Sequence, residues 1–118
     1  MDMTYYNSED LEKIRDKLAK TREEYASAKL LYNTMKDKRT LFVDKIIYKI
    51  ADREGISVAR ARGMVLDDKE YNEFQDGYIS ARQYYEDLTV KKDNLEQRWE
   101  TIRTILAQNR KERWNEVS

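Results

Sequence analysis

The chain has 118 residues, enough for one ordinary domain, with 39% charged and 40% hydrophobic residues, no Pro, no Cys, no His and three Gly. That profile excludes disulfides, thiol or imidazole catalysis and the common zinc sites, and it suits long helices better than a sheet. Lys plus Arg and Asp plus Glu number 23 each, so the net charge of zero points to neither a nucleic acid nor a membrane.

The opening stretch MDMTYYNSED is acidic and lacks the apolar core of a signal peptide. No apolar run of about 18 residues follows, so the expectation is a soluble, cytoplasmic chain without a membrane span. The first helix is predicted over about residues 8–53. Asn7 or Ser8 caps it, and Glu9 and Asp10 complement its N-terminal dipole. Its apolar residues step three and four apart: Leu11, Ile14, Leu18, Tyr25, Ala28, Tyr32, Met35, Phe42 and Ile46. Thr21, Arg39 and Lys49 are the polar rungs of the same heptad seam. Gly55 suits the left-handed position that ends a helix.

Ser57 then caps a short helix over about residues 58–66, and Asp67 or Asp68 caps a second long helix over about 68–114. Its ladder runs Tyr71, Phe74, Tyr78, Ala81, Tyr85, Leu88, Leu95, Trp99, Ile102 and Leu106, with Lys92 and Asn109 as polar rungs. Two long helices joined by a short segment fold back on each other. The predicted fold is therefore all-α: one long antiparallel helical hairpin (a coiled coil) over residues 1–118, with a short helix at the turn.

Large-on-small matching of rungs favours pairing residues whose numbers add to about 120. Trp99 then faces Thr21, Lys92 faces Ala28 and Arg39 faces Ala81. The same register sets Tyr6 opposite Trp114, and Glu9, Asp10 and Glu12 beside Arg110, Lys111 and Arg113. Apolar residues off the seam near the turn, including Leu41, Val43, Ile47, Tyr48 and Ile50, are in part within reach of Ile56, Val58, Met64, Val65 and Leu66. Leu30, Leu31, Val90 and Ile105 lie too far along the helices for that, and are predicted to form the interface of a homo-oligomer.

Asp67, Asp68, Glu70, Glu73 and Asp76 place five carboxylates within ten residues. A metal or acid–base site needs such groups convergent and partly buried. Charges placed at a helix N-terminus account for them without a ligand, so no catalytic residue, metal or cofactor is assigned. Tyr25, Tyr32, Tyr71, Tyr78 and Tyr85 belong to the seam, which leaves Tyr5, Tyr6, Tyr48 and Tyr84 open as stacking surfaces. Ala51, Gly55, Ser57 and Ala61 follow the spacing of a helix-turn-helix, with Glu54 where an apolar residue is usual. A plain helix corner with a covering helix accounts for the same residues. Residues 36–53 hold six cations against three carboxylates, and Arg60 and Arg62 add two cations beyond them. The predicted phosphate-contacting surface is accordingly Lys45, Lys49, Arg53, Arg60 and Arg62.

The hinge SVARARGMVLDDKEY and the ladder YYEDLTVKKDNLEQRWETIRTILAQNRKERW together resemble small tailed-phage coiled-coil proteins that accompany recombination genes, and more distantly the UvsY-type recombination mediators. The resemblance covers the last two-thirds of the chain. It implies a phage-encoded, non-enzymatic homo-oligomer that binds single-stranded DNA and helps a recombinase displace a single-strand-binding protein. A protein-only adaptor, scaffold or inhibitor, for example of a host defence system, and a helix-turn-helix-like DNA-binding regulator remain the alternatives.

Overall fold

The structure is a computed structural model that describes residues 6–117, with side chains through 114. Two long helices, α1 (Ser8–Glu54) and α3 (Lys69–Val117), flank the short α2 (Val58–Arg62) and a single 3₁₀ turn (Val65–Asp67). The fold is the all-α antiparallel hairpin. No strand occurs among the described residues, and no helix there is long and apolar enough to cross a membrane.

Each boundary has a local cause. The Asn7 N–H donates to Asp10 Oδ2 (2.9 Å) and the Asp10 N–H donates to Asn7 Oδ1 (3.0 Å), so Asn7 caps α1 reciprocally. Gly55 ends α1 at φ +62, and the Ile56 N–H reaches back to the Ala51 carbonyl at 3.1 Å. That six-to-one bond closes the helix and needs a residue free to adopt positive φ. Ser57 Oγ accepts from the Arg60 N–H at 3.2 Å, and Asp68 Oδ2 accepts from the Tyr71 N–H at 2.9 Å to cap α3. The short helix expected over 58–66 stops at Arg62. Gly63 and Met64 instead make i→i+3 bonds to Arg60 and Ala61, because glycine disfavours the helix interior and the tighter turn satisfies both N–H groups.

The chain divides into two compact units: a turn unit, Ser27–Glu86, and a terminal unit in which residues up to Ala26 pair with those from Asp87 onward. In the turn unit, Ile46, Ile47, Ile50, Ala51, Ala61 and Val65 form a buried cluster, with Phe42, Val43, Ile56, Val58 and Tyr71 packed against it. Val43, Ile47 and Ile50 each follow a seam rung by one residue, and α2 lies over that edge. Leu41 and Tyr48 each precede a rung, lie on the other edge and stay exposed; Met64 and Leu66 are exposed as well.

The seam forms with a different register. Phe42 stacks on Phe74 with ring centroids 4.3 Å apart, Tyr32 on Tyr85 at 5.5 Å, and Arg39 lies 5.1 Å over the Tyr78 ring. In the terminal unit, Lys92 Nζ sits 4.8 Å over the Tyr25 ring. The numbers of these partners add to 116 or 117, one rung short of the expected 120. Volume matching assigned Arg39 to Ala81 and Lys92 to Ala28, whereas each cation instead covers a tyrosine face. Aromatic stacking and cation–π attraction, each about 0.5–1 kcal/mol, outweigh the match of large to small.

Lys92 and Tyr32 both hold their protons more tightly than usual. The lysine is raised by its hydrogen bond to Asp93, opposed by burial, and raised further by the charges of Glu96, Asp93 and the Tyr25 phenolate. The tyrosine is raised by hydrogen bonding with Tyr78 and by burial. A proton held more tightly in the folded state stabilises it below the unfolded pKa, and that stabilisation is lost as pH rises through the folded value. Urea midpoints are therefore expected to fall at alkaline pH, beyond the ordinary tyrosine and lysine values of 10.0 and 10.5. Tyr32→Phe should lessen the fall, and a Tyr32→Phe profile that tracks the wild type would refute this assignment.

Candidate nucleic-acid interface

Lys45, Lys49 and Arg53 recur every four residues on α1, so they share one face with a gradual drift, and Arg60 and Arg62 sit on α2. All five are exposed and all five belong to the turn unit. The fold thus gathers them, but it also neutralises two. Lys49 Nζ lies 3.3 Å from Glu70 Oε1; Arg53 Nε lies 3.2 Å from Glu54 Oε1, and its Nη1 is 4.0 Å from Asp68 Oδ1. Lys45, Arg60 and Arg62 have no ion pair among the described residues. Exposed pairs of this kind are worth about 0.2–1 kcal/mol, so they cancel local field more than they fasten the fold.

Three of the five carboxylates of the acidic segment are engaged in local contacts. Asp68 caps α3, Glu70 meets Lys49, and Glu73 lies 4.0 Å from Lys69. Among the described residues no cluster of three or more acidic groups is arranged to hold a metal ion. The turn presents Arg60 and Arg62 on a helix of five residues, roughly 7.5 Å long, which makes a short platform for groove insertion.

Tyr25, Tyr32, Tyr71, Tyr78 and Tyr85 are half-buried or buried on the seam, Tyr48 and Tyr84 are exposed in the turn unit, and Tyr5 lies outside the described residues. No protein-family model, curated protein or solved structure matches the chain. The roles of these residues therefore rest on geometry alone.

The predicted interface residues separate by unit. Leu30 and Leu31, exposed by 70% and 53%, belong to the turn unit; Val90, exposed by 60%, and the half-buried Ile105 belong to the terminal unit. Adjacent residues on a helix point about 100° apart, so Leu30 and Leu31 face different directions. Leu31 shares its edge with Leu41 and Tyr48, each one residue before a rung.

The ion pairs expected at the open end do not form. Glu9 pairs with Lys13, Glu12 pairs with Arg15, and Asp10 is held by the Asn7 cap. Neighbours along the helix reach these carboxylates at lower entropic cost than residues across the hairpin. Arg110 and Arg113 are left lining a groove with Tyr6 instead, while Trp114 is 72% exposed. Sequence reading overlooked further cations of the terminal unit. Lys17, Lys20, Lys91 and Arg98 each immediately precede a seam rung: Leu18, Thr21, Lys92 and Trp99. Positions preceding rungs on two antiparallel helices share one edge, and that spacing is the signal.

Proposed function

We propose that this chain is a non-enzymatic coiled-coil accessory protein of the recombination-mediator kind, a homo-oligomer that engages single-stranded DNA and partner proteins in a phage-infected bacterial cytoplasm. The observation that carries the reading is the unsaturated surface of an otherwise saturated seam. Leu30, Leu31 and Val90 are exposed while the rungs beside them are packed. Apolar side chains set along a charged hairpin suit association with further helices, and unpaired cations supply the affinity for phosphates. The protein-only adaptor draws support from a different observation, the neutralisation of Lys49 and Arg53 by Glu70, Glu54 and Asp68.

Sedimentation mass and a single-stranded DNA titration at two salt concentrations test the reading together. The expected result is a multimer whose DNA binding weakens steeply with salt. Leu31→Asp should lower the mass and the melting temperature in step, because subunit association stabilises the fold by mass action. A wild-type monomer at high concentration removes the oligomer, and a multimer that binds no DNA at low salt leaves the protein-only adaptor.

A further inference from the structure

We infer that single-stranded nucleic acid lies along the terminal unit rather than at the turn, in a track of six cations that runs from Lys17, Lys20, Lys91 and Arg98 on one edge to Arg110 and Arg113 near the start of α1. This rests on the DNA-binding reading above and replaces the surface that the sequence suggested for it.

Three grooves run into one another from this edge to the start of α1. The first, about 620 Å³, lies between the stretches carrying Lys17, Lys20, Lys91 and Arg98, over a floor of Thr21 and Leu95. It shares Asn94 and Arg98 with a second of about 550 Å³, which Tyr6 lines. Tyr6 is shared in turn with a third of about 490 Å³ that holds Arg110 and Arg113.

The six cations have no ion pair among the described residues. Glu24 and Asp87 are the carboxylates lining the track, so its net charge is +4. Both lie four residues from a lysine of the track, Lys20 and Lys91, without closing a pair. The other edge of the same unit is organised oppositely. There Arg22 meets Glu96 at 3.2 Å, Lys92 meets Asp93 and Glu96, and Arg103 meets Glu100 at 3.1 Å. Arg22 and Glu96 each follow a rung, whereas Lys17, Lys20, Lys91 and Arg98 each precede one. A hairpin that pairs its charges on one edge and sets like charges across a groove on the other bears a repulsion that a linear polyanion relieves.

A single strand fits this site better than a duplex. The cations follow a groove between two helices, and Tyr6, half-buried between two of the grooves, offers a ring for stacking an unpaired base. The amides of Asn94, Gln97 and Asn109 add donors and acceptors for sugars and base edges.

The test is fluorescence anisotropy of a labelled oligothymidylate with the full-length protein, titrated between about 50 and 200 mM salt. With all six cations on phosphates, log K should fall against log salt with a slope of about −4. The triple variant Lys17→Gln, Lys91→Gln, Arg98→Gln should reduce that slope to about −2 and weaken binding on the order of 100-fold at 0.1 M salt. Its helicity and mass should match the wild type, since all three side chains are exposed. The companion variant Lys45→Gln, Arg60→Gln, Arg62→Gln should bind as the wild type does. A loss in the companion equal to or greater than that in the track variant overturns the track and leaves DNA binding standing. Polyglutamate competing as well as oligothymidylate at equal charge overturns it in favour of an acidic protein partner. A wild-type protein that fails to bind at the lowest salt removes the DNA-binding reading itself.

Discussion

Tyr78→Ala is expected to lower the unfolding free energy by about 3–5 kcal/mol, the range for deleting a buried aromatic ring. For a chain of this size that corresponds to a melting temperature lower by roughly 10–20 °C. Tyr78 is 6% exposed and stands where three contacts meet: its ring centroid is 5.6 Å from that of Tyr32 and 6.5 Å from that of Phe74, and Arg39 lies over its face. Tyr78→Phe keeps the ring and these stacks, so it should retain most of the stability. Arg39 is held from a second side by Gln75 Oε1, which accepts from its Nη2 at 3.4 Å. A double-mutant cycle of Arg39→Met with Tyr78→Ala should therefore give a coupling of about 0.5–1 kcal/mol. Zero coupling would return the register to the sum of 120, in which Arg39 faces Ala81.

Ile50→Ala should cost about 2–5 kcal/mol, whereas Leu41→Ala should change stability by no more than about 0.5 kcal/mol. Both residues are off the seam, both are large and aliphatic, and both lie on the last turns of α1. They differ in what covers them. Ile50 is 1% exposed, within the cluster that α2 closes through Ala61 and Val65, so removing its branched side chain leaves a cavity that the rigid helix ends cannot fill. Leu41 is 66% exposed and leaves nothing behind. Urea unfolding of the two variants measures the difference directly. Equal losses would mean that Leu41 is covered in solution, as an oligomer interface reaching from Leu31 as far as the turn requires, and the mass of the Leu41→Ala protein would then fall as well.

Much of the fold was legible because helical periodicity is a local property. Ile14, Leu18, Thr21, Ala28, Ile46, Tyr78, Ala81, Leu88, Leu95 and Ile102 are the buried rungs, and each belongs to a ladder written in the sequence. Even Thr21, a polar rung, is 2% exposed, because its place in the heptad outweighs its hydroxyl. The charged site was less legible. Counting cations along the chain favoured the turn, since Lys45, Lys49, Arg53, Arg60 and Arg62 are close in sequence. Lys17 and Arg98 are far apart in sequence, and their shared edge exists only once the hairpin closes.

The spacing of rungs, the Asn7, Ser57 and Asp68 caps and the positive φ of Gly55 follow from residues within a few positions of one another, so the sequence by itself determined the two long helices and the antiparallel hairpin, though not where the short helix stops. The tertiary structure alone decided the register, which edge α2 covers, and which charges are cancelled. Each of these depends on side chains far apart in the chain competing for the same partners. Arg39 had Ala81 or Tyr78 within one rung and took the ring; Glu12 had Arg113 across the hairpin or Arg15 beside it and took its neighbour. Such choices turn on differences of about 1 kcal/mol between contacts, and periodicity carries no information about differences of that size.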